Sequence, residues 1–215
     1  MPTKSLPALP VWTARHVAYG REVATPPKPI RRSDLADYEG AEVDDLIGPG
    51  LRLLFVGINP GLWTAAANAH FARRGNRFWP ALHAAGILPE TLDVSAGMTA
   101  AQRALVIGRG VGITNIVPVA TAAAAELTRQ QLVDGAARLT SLVRRRKPRV
   151  VAILGVTAYR QAFAERSAAM GRQPADLAGA ALWVLPNPSG LNAHETVATL
   201  AEAYAEPARH AGVLH

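Results

Sequence analysis

One stretch decides the fold of this chain: residues 51–62, which read LRLLFVGINPGL. Its first half is almost continuously apolar, as is typical of a strand buried on both faces of a parallel sheet. The run then ends abruptly in Gly57-Ile58-Asn59-Pro60-Gly61. Two glycines and a proline around one asparagine indicate a tight, stiff turn at the strand end. Ligands bind just outside the carboxyl ends of strands in open α/β sheets, so Asn59 is either a pocket group or simply part of a turn.

Two further apolar runs also end in asparagine. One is Val111–Asn115, and the other is Leu182–Asn187, which continues into Pro188-Ser189-Gly190-Leu191-Asn192. If these strands are parallel to the first, their carboxamides gather at one edge of the sheet. A carboxamide carries one acceptor and two donors, which suits the polar edge of a nucleobase.

The order of the predicted elements indicates the fold class. Strand patterns alternate with helix patterns, which predicts an α/β domain, a three-layer α/β/α sandwich around a mainly parallel four-stranded sheet. A last helix is predicted to begin after Asn192, with Glu195 in the reciprocal capping position. The four predicted strands are residues 51–57, 111–115, 150–154 and 181–185. The helices predicted before the last one are residues 77–85, 99–107, 128–144 and 157–168.

The chain divides into a tail and one folded domain. Residues 1–33 are rich in proline and basic residues, and residues 34–46 are acidic and can form one short helix. We therefore interpret residues 1–48 as an N-terminal tail or linker and residues 49–215 as the domain. Within the domain, residues 63–75 are predicted to form a long loop that carries Phe71, Arg73 and Arg74.

Composition excludes several classes of protein. The 215 residues are 49% hydrophobic and 18% charged, as is typical of a globular chain. Because there is no cysteine, disulfides, zinc–thiolate sites and iron–sulfur clusters are excluded. The six histidines show no metal-ligand spacing, so we expect neither a metal nor a cofactor. No apolar run is long enough to span a membrane and no signal-peptide core is visible, so we expect a cytoplasmic protein, in the bacterial cytosol or nucleoid.

The net charge is concentrated in the predicted domain. The chain carries 23 Lys and Arg against 16 Asp and Glu, a net of +7. Residues 1–48 contain six basic and seven acidic residues, so residues 49–215 contain 17 basic and nine acidic residues, a net of +8. Such a charge favours binding to a phosphate backbone by counterion release. The alternative is a protein that is basic only because its proteome is rich in arginine.

Several motifs in order resemble a known family. Gly57-Ile58-Asn59-Pro60-Gly61 is followed by Asn76-Arg77-Phe78-Trp79, by residues 112–117 (GITNIV) and by Asn187-Pro188-Ser189-Gly190-Leu191-Asn192. Together they resemble the mismatch-specific uracil-DNA glycosylases, a family that includes the thymine-DNA glycosylases. The similarity covers roughly residues 50 to 205. It implies a monofunctional DNA repair enzyme, expected to be a monomer, that flips uracil out of double-stranded DNA and hydrolyses its N-glycosidic bond.

The resemblance also implies roles for single residues. Asn59 matches the catalytic asparagine, which positions a water because a carboxamide cannot act as a base near pH 7. Phe71 matches the stacking phenylalanine, although a core position is the alternative. Backbone groups around Ile58 and Phe71, with the Asn115 side chain, would bind the uracil edge, and Thr64 would lie near C5 of the base. None of the carboxylates lies in a motif, so none is assigned a role.

The late loop is expected to contact DNA. The resemblance assigns Leu191 as the wedge that fills the space left by the flipped base, with Asn187, Pro188, Ser189, Gly190 and Asn192 around it. The alternative is a structural leucine that packs on Thr196 as a hydrophobic staple. Peptide N–H groups of residues 190–193 could hold phosphate or the orphaned guanine.

The base specificity stays open at this point. The segment Asn192-Ala193-His194 departs from the family, whose members often have arginine soon after the wedge, which puts the opposite-base preference in doubt. We expect removal of uracil, preferably opposite guanine, and of other altered bases. The alternatives are a glycosylase of the same fold for deaminated purines or pyrimidine adducts, and a non-catalytic nucleic-acid-binding domain.

Overall fold

The computed structural model describes residues 30–215 and contains one five-stranded sheet in the order β2-β1-β3-β5-β4. Among these residues, no helix is long and apolar enough to cross a membrane. The strands are β1 (Leu53–Gly57), β2 (Val111–Asn115), β3 (Val150–Leu154), β4 (Gly171–Arg172) and β5 (Ala181–Leu185), and the helices are α1 (Leu62–Ala67), α2 (Phe78–Ala84), α3 (Ala100–Gly108), α4 (Arg129–Arg146), α5 (Val156–Ala162) and α6 (Val197–His210).

The predicted fold class is confirmed, with one more strand than expected. Strands β1, β2, β3 and β5 are parallel, so all four end at one edge of the sheet, here called the carboxyl edge, and begin at the opposite, amino edge. The additional strand β4 pairs antiparallel with β5. The sequence prediction of four strands missed it because a strand of two residues leaves no periodicity to detect.

The sheet is buried on both faces, as the apolar run in residues 51–57 predicts. Alternate side chains of β1 enter different cores. Leu53 and Phe55 pack in one core with α2, α3 and α6, whereas Leu54 and Val56 pack in another with α4 and α5. The three layers therefore follow from the sequence of one central strand.

Two helices begin where the sequence predicts, whereas the predicted end of α5 is wrong. Thr99 and Thr128 form capping boxes with Gln102 and Gln131, and α3 and α4 follow them directly. In contrast, α5 ends at Ala162 and not at residue 168, because Ala164 has a left-handed φ of 60° that no helix can contain.

The last helix begins four residues later than predicted. Thr196 caps α6 through a box with Thr199, and α6 starts at Val197. Glu195 does not occupy the reciprocal capping position, because its carboxylate accepts from the Thr199 hydroxyl at 2.8 Å instead. The segment between Asn192 and Thr196 is therefore an extension of the preceding loop.

The predicted loop over residues 63–75 is wrong in its first part. Residues Leu62–Ala67 form α1, and the alanines at its end are strong helix formers whose signal the sequence analysis overlooked. Asn68 ends α1 in a left-handed conformation with φ of 42°. The remaining loop, residues 68–77, is therefore about ten residues long and begins at the C-cap of α1.

Part of the acidic N-terminal segment lies against the domain. Residues Arg32–Tyr38 form a 3₁₀ helix that packs on α1. Leu46 and Ile113 then exchange backbone hydrogen bonds of 2.9 and 2.8 Å, so residues near Leu46 extend the sheet beyond β2. The boundary after residue 48 stays a prediction, but residues 40–46 contribute buried side chains such as Val43 to the structure.

Candidate functional site

The parallel sheet brings all three predicted asparagines to the carboxyl edge. Asn115 ends β2 opposite Gly57, while Asn59 and Asn187 each follow the end of a strand by two residues. Gly155 lies between them at the end of β3. A Cβ atom there would lie 3.3 Å from Ile58 Cδ1 and 3.7 Å from Asn187 Nδ2, so the turns after β1 and β5 meet across Gly155.

The Asn59 side chain has a fixed orientation. Its Nδ2 donates to Thr121 Oγ1 at 2.7 Å, to Pro60 O at 3.1 Å and to Val119 O at 3.3 Å. Thr121 Oγ1 uses its own proton on Ala123 O at 2.9 Å, so it must accept from Asn59. Only the amide nitrogen can face these oxygens. Within residues 30–215 no donor reaches Asn59 Oδ1, which leaves this half-buried oxygen able to accept a hydrogen bond from water.

Asn115 is buried and is held by His70. Its Nδ2 lies 3.4 Å from His70 Nδ1, and His70 Nε2 lies 3.0 Å from the Asp44 carbonyl oxygen. A carbonyl only accepts, so the proton of a neutral His70 sits on Nε2 and Nδ1 accepts from Asn115. Burial lowers the pKa of His70 to about 4, which keeps the ring neutral.

A glycine makes room for the Asn115 amide oxygen. A Cβ atom at Gly57 would collide with Asn115 Oδ1 and would lie 3.4 Å from Phe71 Cζ. The amide oxygen of Asn115 and the edge of the Phe71 ring therefore both lie over the end of β1. The structure brings these two predicted base-binding residues together.

Phe71 packs against the edge of the hydrophobic core but is not fully buried in it. It is half-buried and adopts a left-handed φ of 57°. One face stacks on Phe78 with ring centroids 4.1 Å apart. The neighbouring His70 carbonyl accepts from Trp79 Nε1 at 3.0 Å, which fixes the loop at this point. The ring is therefore held over the end of β1, beside the Asn115 amide.

Backbone donors are free at the turn. The carbonyls of Gly57 and Ile58 accept from Ile116 N and Val117 N, both at 2.9 Å. In the part of the chain that the structure describes, the N–H groups of Ile58 and Phe71 have no acceptor. These two donors, one just after β1 and one in the loop of residues 68–77, can bind the oxygen atoms of a base or stabilise an anion.

Thr64 lies beside the site, on α1. It is buried and contributes to the wall of a cavity of about 520 Å³ next to the Asn59 turn. The cavity also exposes three guanidinium groups, and its full lining is Arg32, Leu35, Gly61, Leu62, Trp63, Thr64, Arg73, Arg74 and Ala122.

Leu191 lies at the tip of a loop and is 77% exposed, so it is not a core leucine. The staple alternative fails as well, because Thr196 caps α6 and is not its fourth residue. The loop is shaped by its own polar groups: Ser189 N donates to Asn187 Oδ1 at 2.9 Å and Leu191 N to Ser189 Oγ at 3.3 Å. We here call residues 187–192 the Leu191 loop.

One expectation about the Leu191 loop is wrong. The N–H groups of residues 190–193 do not form a helix N-terminus, because α6 begins only at Val197. Those of Leu191 and Asn192 are already used on Ser189 Oγ and Ser189 O. These two peptide groups are therefore not available for phosphate.

The positive charge of the domain is not neutralised by ion pairs. In residues 30–215 the one salt bridge is Arg172–Asp176, at 2.5 Å, and neither residue belongs to a site motif. Arg73 and Arg74 are exposed and line both the cavity beside Thr64 and a groove of about 230 Å³ that reaches Leu191. The described residues contain no group of His, Asp or Glu placed to hold a metal ion.

Sequence reasoning missed three residues that support the site. Thr121 orients Asn59, His70 orients Asn115, and Arg77 donates to the carbonyls of Gly190 and Asn192 in the Leu191 loop. Arg77 stands in a quoted motif but received no role. Thr121 has no signal in the sequence, since its contact depends on a loop that folds back over the turn after β1.

The fold and this edge define an α/β domain that presents amides, an aromatic ring and arginines outside the ends of parallel strands. The sequence model of the Uracil DNA glycosylase superfamily matches residues 45–207. The chain therefore belongs to the uracil DNA glycosylase superfamily. The solution NMR structure of a candidate uracil DNA glycosylase from Methanosarcina acetivorans is similar in fold, with a TM-score of 0.56 at 15% identity over 83% of this chain and 99% of that chain.

Proposed function

We propose that this protein is a mismatch-specific uracil-DNA glycosylase that flips uracil out of double-stranded DNA and hydrolyses its N-glycosidic bond, leaving an abasic site. It acts as a cytoplasmic monomer without metal or cofactor. The proposal rests on the orientation of Asn59. Three oxygen atoms hold its amide nitrogen, so its amide oxygen is presented to solvent at the carboxyl edge of the sheet. A water bound to this oxygen has a lone pair free to attack the anomeric carbon.

The leaving base needs an acceptor site for its developing negative charge. Cleavage of a glycosidic bond passes through an oxocarbenium-like sugar, and the uracil leaves as an anion. The free N–H groups of Ile58 and Phe71 are fixed donors that can stabilise this anion without reorganising. The Phe71 ring, supported from behind by Phe78, supplies the stacking face, and Asn115 supplies the amide that reads the polar edge.

Extraction of the base is assigned to Leu191. An exposed leucine at the tip of an ordered loop can occupy the space that the base leaves. Arg73 and Arg74 line both the cavity next to the Asn59 turn and the groove that reaches Leu191, so they are suited to the phosphates of the strand that carries the lesion.

The preference for uracil opposite guanine follows from the weakness of the catalyst. No carboxylate is assigned as a base, so the rate of bond cleavage is low. The free-energy cost of flipping the base then decides which substrates are cleaved. Unpairing costs a few kcal/mol in a duplex and less for a mismatched base. Uracil opposite guanine therefore reaches the site more often than uracil opposite adenine.

The reaction should stop at the abasic site. A lyase step needs an amine that forms a Schiff base with the sugar. In the described residues the one lysine is Lys147, which ends α4 at the amino edge of the sheet, opposite to the proposed site. This supports a monofunctional enzyme.

A gel assay on four duplexes tests the proposal. The duplexes carry uracil, thymine, hypoxanthine or ethenocytosine opposite guanine, and alkali cleaves the strand at abasic sites. We expect strand breaks from uracil after alkali and none before it. Cleavage of hypoxanthine or ethenocytosine without uracil would move the substrate to deaminated purines or pyrimidine adducts. Binding of all four without cleavage would make the chain a non-catalytic nucleic-acid-binding domain.

A further inference from the structure

One side chain fixes the Leu191 loop to the body of the protein. Arg77 Nη1 donates to Asn192 O at 3.0 Å, and Nη2 donates to Gly190 O at 3.3 Å. These two carbonyls belong to the residues immediately before and after Leu191. The Arg77 backbone N–H also donates to Pro188 O at 3.0 Å. Arg77 therefore holds the loop on both sides of its exposed tip.

The two segments are in direct backbone contact. A Cβ atom on Gly190 would lie 2.6 Å from Gly75 O, which is closer than a side chain allows. Arg77 immediately precedes α2, which packs against α6 and carries Phe78 in the aromatic core. The loop is thus tied to a rigid element and not to another loop.

The other hydrogen bonds of residues 189–192 are local. In the described part of the chain they join Ser189 to Asn187, Leu191 and Asn192 to Ser189, Asn192 to the Asn187 carbonyl, and His194 N to Asn192 Oδ1. Such bonds shape the loop but do not fix its direction. The guanidinium of Arg77 is the side-chain group that does so. It differs in this from Arg73 and Arg74, whose guanidinium groups donate to no described residue.

We propose that Arg77 is a positioning residue for base extraction, which orders the Leu191 loop before DNA arrives. The proposal rests on the proposed function. A loop that is already ordered loses little conformational entropy when its tip enters the duplex. The planar guanidinium reaches two carbonyls at once from two nitrogens, whereas the three donors of a lysine ammonium lie on one nitrogen and are not set in this fork geometry. Charge alone is therefore not enough at this position.

The variant Arg77→Lys separates geometry from charge. We expect single-turnover cleavage to slow by about tenfold for uracil opposite adenine, less for uracil opposite guanine, and within about twofold for single-stranded uracil. Amide hydrogen exchange of residues 189–192 in the free protein should become faster. The matched control is Arg160→Lys, because Arg160 Nε also donates to a loop carbonyl, that of Ala168 at 2.8 Å, and should change neither measurement.

A double variant tests whether Arg77 acts through Leu191. If it does, Arg77→Lys combined with Leu191→Ala is no slower on uracil opposite adenine than Leu191→Ala alone. Additive losses, equal losses on all three substrates, or unchanged hydrogen exchange overturn the assignment. If the wild-type protein cleaves none of the substrates, the proposed function is wrong and the role in extraction falls with it. The exchange measurement then still decides whether Arg77 orders the loop.

Discussion

At the amino edge of the sheet, Arg52 and Arg109 donate to carbonyls beyond helix ends, whereas Arg73 and Arg74 on the carboxyl side line open cavities. Arg52 donates to Gly212 O, just after α6, and at 3.1 Å to Arg109 O, just after α3. Arg109 Nε donates to Ile87 O at 2.9 Å, beyond the end of α2. Arg73 and Arg74, in contrast, are exposed and make no side-chain hydrogen bond within residues 30–215.

The topology explains this difference. In a parallel α/β sheet the connecting helices run back, so their C-termini and unpaired carbonyls gather at the amino edge. Cations there complement the negative ends of the helix dipoles. At the carboxyl edge the helices begin, and the same dipoles are positive. Arg77 and Arg138 still donate to carbonyls on that side. No described residue accepts from the guanidinium of Arg73 or Arg74, and we propose that these two charges are available to a phosphate backbone. We therefore propose that the arginines with protein acceptors are structural and that the exposed arginines without one contact DNA.

The largest expected effect at the carboxyl edge is that of Asn59→Ala. Loss of the water-positioning amide should reduce single-turnover cleavage of uracil by about 10²–10³-fold. Binding to abasic DNA should stay near that of the wild type, because the side chain acts on the water. Stopped or quenched-flow rates and a fluorescence binding titration measure the two quantities. Near-normal cleavage would remove Asn59 from the mechanism. Arg144→Ala, an exposed change in α4 near the amino edge, is the control and should alter neither.

The second effect concerns pH and His70. Its pKa is about 4 in the folded protein and 6.5 when exposed, so between these values the unfolded chain binds the additional proton. Above pH 6.5 His70 is neutral in both states, so its burial does not lower the free energy of unfolding. As the pH falls from 6.5 towards 4, protonation of the unfolded chain lowers that free energy by about 3 kcal/mol in total. Urea unfolding at several pH values measures it. The difference in pH dependence between the wild type and His70→Gln isolates this group, and parallel curves would show that His70 is not buried as a neutral ring.

Much of this edge could be predicted from the sequence. Residues 51–57 predict a central buried strand because both of their alternating faces are apolar, and β1 lies at these residues with side chains in both cores. The asparagines at the ends of β1, β2 and β5 predict a polar edge because parallel strands end together. Both inferences use local patterns that a fold of this class must satisfy.

The supporting contacts could not be predicted in the same way. Thr121 meets Asn59 across 62 positions of the chain, and Arg77 meets the Leu191 loop across more than a hundred. Such contacts depend on the path of loops, which has no periodicity. The late start of α6 was missed for a local reason. Asn192 and Thr196 are both good helix caps, and only the second forms a box, with Thr199.

The third effect is that of Leu191→Ala, which should slow cleavage of uracil opposite adenine by about tenfold. The loss should be smaller opposite guanine and smallest in single strands, where no stack has to be filled. Because Leu191 is 77% exposed, the melting temperature should not change. A buried leucine would behave differently, with a loss of about 2–5 kcal/mol of stability and equal losses on every substrate. Single-turnover rates and a melting curve distinguish the two. Val133→Ala, an exposed apolar change on α4, is the control.

The smallest effect tests the comparison between the two edges most directly. Arg74→Gln removes a cation that has no acceptor among the described residues, so it should weaken DNA binding on every sequence, with no loss of stability. The salt slope, which is the slope of log binding constant against log salt concentration, should become shallower by about one. Arg52→Gln removes a cation that is already bound to the carbonyls of Gly212 and Arg109, so it should cost about 1–3 kcal/mol of unfolding free energy and leave the salt slope unchanged. Binding titrations between low and physiological salt, with urea unfolding of the same samples, measure both quantities for both variants. A salt slope that falls equally in the two variants would mean that DNA responds only to net charge, and the distinction between the edges would be lost. A stability loss in Arg74→Gln as large as that in Arg52→Gln would place Arg74 among the structural arginines, and the phosphate contacts would then have to be sought at Arg32 and Arg73, which line the same cavity.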